Sequence, residues 1–218
     1  MPIIRKSIGG LISDIAQTNS DRDALVHAEA GQRYNYRDLV LEVDRAAKGL
    51  INLGIRPGDK IALWSANVPQ WIIAFLGLAK LGAVTVPIDP AASKDNLYYI
   101  LEQSESRGLI VADCDDSRDM LTAASAAKND IPFLEHIIVI NGTSDTNSWN
   151  ELIAAGENTA PDKLAKISEE VNPEDPVAIM YTSGTTGQPK GVCLLYTSDA
   201  ADDSKRVVRW GGGGAGEG

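Results

Sequence analysis

Short apolar runs alternate with helix-like segments through the middle of this chain. The runs at residues 61–64, 83–88, 108–112 and 136–140 are bounded by turn or polar residues, as buried strands are. Between two of them, Leu97, Ile100 and Leu101 recur at the spacing of one helix face. Strands joined by helices of this length predict an α/β fold, with a partial doubly wound parallel sheet, right-handed crossovers and flanking helices.

Local signals predict where the individual helices begin and end. Residues 7–17 place apolar side chains on one face of an amphipathic helix. Asn35 is a candidate N-cap for a longer second helix, and Gly54 is its stop. Pro69 suits the first turn of a third helix, which Gly82 ends before the next strand.

The second half of the chain is predicted by the same rules. Residues 116–128 are alanine-rich and are expected to be helical. Residues 141–175 are more polar, and we expect a surface connection there with one short helical piece near residues 149–155. Residues 176–181 are then expected to form a strand.

Charge and cysteine content exclude several classes of function. The formal net charge of -10 argues against nucleic acid as a partner, because phosphate backbones are bound by basic surfaces. The apolar stretch at residues 71–79 is interrupted by Lys80, and Pro87 closes the next apolar run. This pattern favours a buried helix followed by a strand over a transmembrane segment. Cys114 and Cys193 form neither a metal-ligand spacing nor a disulfide framework. We therefore expect a cytoplasmic protein.

Glycines, hydroxyl residues and a lysine are concentrated at residues 181–192, directly after an expected strand. Glycine lets the backbone approach a ligand closely, and hydroxyl and ammonium groups donate to anionic oxygens. In open α/β sheets ligands bind at the carboxyl ends of strands, where this segment lies. The sequence therefore predicts a phosphate-binding loop. It is neither the dinucleotide fingerprint nor the common P-loop, since Pro189 precedes Lys190 and Gly191 follows it.

Residues 182–192, Thr-Ser-Gly-Thr-Thr-Gly-x-Pro-Lys-Gly-Val, closely resemble the signature of the adenylate-forming (AMP-binding) superfamily. This superfamily includes acyl-CoA synthetases, luciferases and the adenylation domains of nonribosomal peptide synthetases. Weaker similarities extend upstream from about residue 20 in the family's order and spacing, at residues 34–39, 53–59, 67 and 82–90. The resemblance implies the N-terminal portion of the large domain of such an enzyme.

The resemblance also implies a reaction. A carboxylic acid attacks the α-phosphate of ATP, which gives an acyl-adenylate and pyrophosphate, and the acyl group then passes to a thiol such as CoA. Mg2+ is expected to share the neutralisation of the phosphates. Lys190 is the expected catalytic residue, and the expected phosphate contacts are Thr182, Ser183, Gly184, Thr185, Thr186, Gly187 and Lys190.

Less specific interpretations apply to other polar residues. The glycine-rich segment can be a turn that binds nothing. His27 and His136 have no cysteine or carboxylate at metal spacing, so a core or edge histidine is favoured and no metal ligand is assigned. The acidic cluster lacks the calcium-loop pattern and is typical of a solvated helix start; it comprises Asp113, Asp115, Asp116 and Asp119.

After residue 192 the chain departs from the family's pattern. Leu195 and Tyr196 stand where the family has a Thr-His pair, the following residues resemble translated sequencing-adapter DNA, and residues 211–218 are of low complexity. We therefore expect a partial N-terminal AMP-binding domain over residues 1–192 and an artefactual or disordered tail over residues 193–218. A native but divergent tail is the alternative.

The family's acyl pocket, magnesium-binding glutamate, ribose-binding aspartate and mobile C-terminal domain with its catalytic lysine all follow this loop in sequence. We therefore expect the parent protein to be an ATP-dependent carboxylate ligase and this chain alone to be inactive. Two alternatives are a truncated, non-catalytic nucleotide-binding or interaction module and an unstable fragment with exposed strand edges. The carboxylic acid, and CoA versus a carrier protein as acceptor, stay open at this point.

Overall fold

The structure, a computed structural model, describes residues 6–112, 120–140, 148–182, 189–196 and 208–209. The helices are α1 (Ile8–Asn19), α2 (Tyr36–Asn52), α3 (Pro69–Leu81), α4 (Lys94–Ser104), α5 (Met120–Asp130), α6 (Trp149–Gly156) and α7 (Pro161–Glu170). The strands are β1 (Asp23–His27), β2 (Gln32–Asn35), β3 (Lys60–Trp64), β4 (Val84–Ile88), β5 (Gly108–Val111), β6 (His136–Val139), β7 (Pro176–Thr182), β8 (Lys190–Leu195) and β9 (Val208–Arg209).

The main sheet has the strand order β6-β5-β3-β4-β7-β8-β9 within the described residues. Pairing is parallel from β6 to β7, with α3, α4 and α5 in the connections, which confirms the predicted α/β fold with its doubly wound parallel sheet. At the other side, β7 pairs antiparallel with β8, and β8 with β9. The sheet is therefore mixed. A separate antiparallel hairpin is formed by β1 and β2.

Strand β3 shows how the sheet separates two apolar cores. Ile61 and Leu63 belong to a core shared with α2, α3 and α6, whereas Ala62 and Trp64 belong to a core shared with α4 and α5. Because successive side chains of a strand point to opposite faces, a strand covered on both faces must be apolar throughout. The fold is thus a sheet between two helical layers.

The predicted helix signals act where the sequence places them. Asn35 caps α2, since its Oδ1 accepts a hydrogen bond from the backbone N–H of Asp38 at 2.8 Å. Pro69 opens α3, and Gly82 ends it with a positive φ of 69°. Gly54 also has positive φ, at 86°, two residues beyond the end of α2.

Helix α6 corrects the prediction of a surface connection after residue 141. The helical piece near residues 149–155 is confirmed, but it packs on α2 through glycine. A Cβ atom at Gly49 would lie 2.2 Å from the carbonyl oxygen of Leu152, and one at Gly156 would lie 2.8 Å from the backbone nitrogen of Gly49. The two helix backbones therefore touch, which a pattern of large apolar residues does not reveal.

Helix α7 is the second part of that correction. The sequence analysis did not predict it, yet Leu164 is buried against α2 and α3, and Ser168 Oγ donates a hydrogen bond to the carbonyl of Lys80 at 2.8 Å. Helices α6 and α7 therefore add to the helical layer of α2 and α3 through a few buried residues, whereas residues 141–147 lie outside the described residues. For the helix predicted at residues 116–128, the described part runs from Met120 to Asp130.

Residues 193–196 of the predicted tail continue β8 and pack inside the molecule. Cys193 is a buried free thiol, and the Tyr196 hydroxyl donates to the carbonyl of Ala79 at 2.7 Å. The rest of that tail lies outside the described residues apart from Val208 and Arg209. The domain boundary at residue 192 and the non-native origin of the tail stay predictions.

In the part of the chain that the structure describes, each helix is too short or too polar to cross a bilayer.

Candidate functional site

Strands β7 and β8 bring the two ends of the predicted phosphate-binding loop side by side. Thr182, the last residue of β7, pairs with Lys190, the first residue of β8. The Thr182 hydroxyl donates to the backbone carbonyl of Lys190 at 3.4 Å. The remaining predicted contacts lie outside the described residues, and their roles stay predictions; they are Ser183, Gly184, Thr185, Thr186 and Gly187.

The β7–β8 hairpin has one packed face and a second face that is buried at Ala178 but open at the loop end, from Met180 onward. Ile179 and Tyr181 pack in the core beneath α4, together with Cys193 of β8. On the other face, Thr182 and Lys190 are exposed, as the strand alternation requires. The Lys190 ammonium is therefore available to a ligand without any change in the core, and the Thr182 hydroxyl becomes available when it leaves its 3.4 Å contact with the Lys190 carbonyl.

The hairpin root lies where a nucleotide site is expected in an α/β sheet. Strand β7 runs parallel to β4, so the carboxyl ends of both strands meet at one edge of the sheet. At this edge the Trp64 indole Nε1 donates to the carbonyl of Asp89 at 3.2 Å, which joins the carboxyl ends of β3 and β4. Thr182 thus lies at the same end of the sheet as the carboxyl ends of β3 and β4.

Tyr181 is a residue of this hairpin that sequence analysis assigned no role. Its ring lies across Gly191, where a Cβ atom would come within 3.3 Å of the ring carbon Cζ. Its hydroxyl donates to Oε1 of Gln103 on α4. Burial raises the pKa of Tyr181 to about 12. The available signal was the two-residue spacing from Ile179, which places both side chains on the packed face.

A second polar cluster occupies the opposite end of the sheet. Arg107 precedes β5 and donates at 2.8 Å to the carbonyl of Gly54 and to the carboxylates of Asp59 and Glu135, which precede β3 and β6. The hydrogen bond from Arg107 lowers the pKa of Glu135. Arg107 is thus committed to the protein's own acceptors, whereas Lys190 pairs with no carboxylate among the described residues.

The donors at the hairpin suit phosphate oxygens better than a metal ion. An ammonium and a hydroxyl donate to anionic oxygens, whereas Mg2+ requires carboxylate or other oxygen ligands. Over the described ranges, the structure contains no cluster of three His, Cys, Asp or Glu side chains able to hold a metal. The described donors of the hairpin are therefore of the kind that suits phosphate oxygens.

With this geometry established, sequence comparison identifies the family. The AMP-binding enzyme family matches residues 12–200. The chain belongs to this family. The match begins inside α1 and continues past β8, so it covers the hairpin and both cores.

The similar proteins include CoA ligases. The mitochondrial medium-chain acyl-CoA ligase ACSF2 of Rattus norvegicus is 29% identical, and the alignment covers 89% of this chain and 34% of that protein. The inhibitor-bound N-terminal domain of FACL13 from Mycobacterium tuberculosis is 30% identical with a TM-score of 0.72, covering 88% of this chain and 44% of that structure. The anthranilate CoA ligase AuaEII, in complex with anthranoyl-AMP, has a TM-score of 0.74 at 24% identity, covering 90% of this chain and 36% of that structure.

The coverage is asymmetric in these comparisons. The chain spans about a third of the length of the curated relatives it matches. Family membership is therefore established for the N-terminal portion of an adenylate-forming enzyme, and the activity of a whole protein is a separate question.

Proposed function

We propose that this chain is the N-terminal part of an ATP-dependent carboxylate–CoA ligase, in which residues 182–190 hold the phosphates of ATP. The observation that carries the proposal is the pairing of Thr182 with Lys190 on the open face of the β7–β8 hairpin. The acyl-CoA ligase relatives support the reaction class. The cysteine pattern of the sequence supports a cytoplasmic location.

The reaction has two balanced steps. A carboxylate oxygen attacks the α-phosphorus of ATP, the bond to the oxygen bridging the α- and β-phosphates breaks, and pyrophosphate leaves. The thiolate sulfur of CoA then attacks the acyl carbonyl carbon, and AMP leaves. The first step moves negative charge onto the departing pyrophosphate, so fixed donors near its oxygens stabilise the transition state.

The residues of this chain would supply part of that stabilisation. The Lys190 ammonium offers a full positive charge without a competing carboxylate among the described residues, and it would bind the β- and γ-phosphate oxygens. The Thr182 hydroxyl would exchange its long 3.4 Å hydrogen bond to the Lys190 carbonyl for one to a neighbouring phosphate oxygen on the same face. Ser183, Gly184, Thr185, Thr186 and Gly187 would complete the cradle with hydroxyl and backbone N–H donors, and bound Mg2+ would neutralise further phosphate charge.

A binding experiment tests the role of the hairpin. Calorimetric titration of the 218-residue chain with MgATP should give measurable binding, and Lys190→Ala should weaken it by at least about ten-fold because a charge-assisted contact is lost. Lys166→Ala is the matched control, since Lys166 is an exposed lysine paired with Asp162 on α7. Equal affinities of the wild type and Lys190→Ala would contradict the assignment of Lys190.

A second experiment tests the proposal that this chain alone is inactive. It contains about a third of the length of its relatives, so most residues that would bind the carboxylate and CoA are expected outside it. Pyrophosphate release measured across a panel of carboxylic acids should stay at background with the 218-residue chain. Turnover well above background would refute the proposed inactivity while supporting the ligase assignment.

A further inference from the structure

We propose that Tyr181 is a positioning residue that fixes Thr182 and Lys190 for phosphate binding, through its ring contact with Gly191 and its hydrogen bond to Gln103. This inference rests on the proposed function, because it concerns how the phosphate contacts are held. No ligand contact by Tyr181 itself is implied, since its side chain lies on the face of the hairpin opposite Thr182.

The ring contact joins the two strands at the root of the loop. Tyr181 pairs with Gly191, one step from the pair of Thr182 and Lys190. A Cβ atom at position 191 would lie 3.1 Å from Cγ2 of Ile179 and 3.3 Å from Cζ of Tyr181. A larger residue at position 191 would push these two side chains away by a few tenths of an ångström, so glycine lets the ring pack closely on the β8 backbone.

The hydrogen bond anchors this root to a rigid helix. Gln103, which accepts from the Tyr181 hydroxyl, belongs to the last turn of α4. Leu97 and Leu101 of that helix are fully buried. Near its end, the Ser104 hydroxyl donates to the carbonyl of Ile100 at 2.7 Å. Because α4 is held in the core, the hydrogen bond from the Tyr181 hydroxyl to Gln103 fixes the hairpin relative to α4.

The consequence for function is geometric. Donors assist phosphoryl chemistry only where they are held close to the productive position, and small displacements cost affinity and rate. Thr182 and Lys190 are exposed and have little packing of their own. Their backbone position is therefore set from the packed face, where Tyr181 provides both an interstrand contact and a link to α4.

The test combines two substitutions, one at the donor and one at the acceptor of the Tyr181–Gln103 hydrogen bond. Tyr181→Phe keeps the ring over Gly191 and deletes the hydroxyl, whereas Gln103→Leu deletes the acceptor. Each should weaken MgATP binding by the 218-residue chain about five-fold, the effect of one lost hydrogen bond. The double variant should bind about as weakly as the weaker of the two single variants, because both break the Tyr181–Gln103 hydrogen bond.

Tyr98→Phe is the matched control. Tyr98 lies on the same helix and donates to Asp130 at 2.8 Å, away from the hairpin. It loses the same chemical group from a more exposed hydrogen bond, so it should lower stability against urea by less and leave MgATP affinity unchanged. MgATP affinities are measured under conditions in which urea unfolding shows that every variant is folded. A substitution that lowers stability alone then shifts the unfolding curve and leaves the affinity unchanged.

The outcomes separate this inference from the proposed function. If the wild type fails to bind MgATP, or Lys190→Ala binds equally well, the phosphate role of the hairpin fails and the positioning role fails with it. If Lys190→Ala weakens binding but Tyr181→Phe and Gln103→Leu do not, the positioning role alone is overturned. If the two effects multiply to about 25-fold in the double variant, the shared hydrogen bond is overturned.

Discussion

The α2–α6 contact and the β7–β8 hairpin both depend on glycine, but they place it against different neighbours. Gly49 and Gly156 let two helix backbones touch, so neither side can yield to a larger residue. Gly191 instead accommodates the Tyr181 ring on one face of a hairpin whose other face carries exposed Thr182 and Lys190. The first region buries backbone against backbone, whereas the second has a packed face and, at its loop end, an exposed face that carries the proposed phosphate contacts.

Gly49→Ala should have the largest effect on stability. The new Cβ would lie 2.2 Å from a backbone oxygen of α6, so one helix must move and the core around Leu152 must repack. We expect the free energy of unfolding to fall by about 3 kcal/mol or more, measured by urea denaturation followed by circular dichroism.

Gly77→Ala is the control for that substitution. Gly77 is also a helical glycine, but a Cβ atom added there would lie 3.4 Å from its nearest neighbour, the backbone nitrogen of Ala47, which is an ordinary contact. Its stability should be unchanged or slightly higher, because alanine favours a helix. A Gly49→Ala variant as stable as Gly77→Ala would show that the two helices are free to separate, and the contrast with the hairpin would fail.

Arg107→Met should have the next largest effect, and it sharpens the separation of stability from ligand binding. The substitution leaves the Gly54 carbonyl and the Asp59 carboxylate without the donor that lies 2.8 Å from each. We expect a loss of about 2 kcal/mol in the free energy of unfolding, with MgATP affinity unchanged. Arg45→Met, which breaks a more exposed pair with Glu42, should cost less than about 0.5 kcal/mol.

Thr182→Val should have the opposite effect to Arg107→Met, with lower MgATP affinity and almost unchanged stability. Valine has nearly the same shape as threonine and suits a strand, and residue 182 is exposed, so the free energy of unfolding should change by less than about 0.5 kcal/mol. MgATP affinity should fall about three-fold with the loss of one neutral donor. Met180→Leu, on the same open face, should change neither quantity. Destabilisation by Thr182→Val with unchanged affinity would mean that the open face also has a structural role.

Sequence reasoning found the elements whose signals are local. Strand β3 is apolar because both its faces are covered, and α3 begins at Pro69 and ends at Gly82, so each could be located from its own residues. The resemblance of residues 182–192 likewise identified the family before any geometry was known. These features need no information about distant parts of the chain.

The missed features depend on contacts between distant residues. The tight packing of α6 against α2 rests on Gly49 and Gly156, and a lone glycine in a helix gives no sign of its partner. Similarly, Tyr181 and Gln103 are far apart in sequence, and only the pairing of β7 with the sheet brings them together. Of the predicted site residues, the described structure places Thr182 and Lys190 opposite each other, which the motif alone did not reveal.

The smallest expected effect is the pH dependence of the end of the sheet opposite the hairpin. Burial lowers the pKa of His136 below its ordinary value. The positive charges of Arg107 and Lys128 lower this pKa further. Two carboxylates act in the opposite direction and raise it: Glu135, which lies 3.6 Å from the His136 Nε2, and Asp59. The unfolded chain therefore binds this proton more readily, so stability should decrease as pH falls from about 7 through about 6. We expect less than about 1 kcal/mol from His136, and His136→Gln should flatten urea-derived stability across this interval. His136 and Lys190 lie at opposite ends of the sheet. The MgATP affinity of His136→Gln at pH 7 should therefore equal that of the wild type. A lowered affinity would show that the two ends of the sheet are coupled.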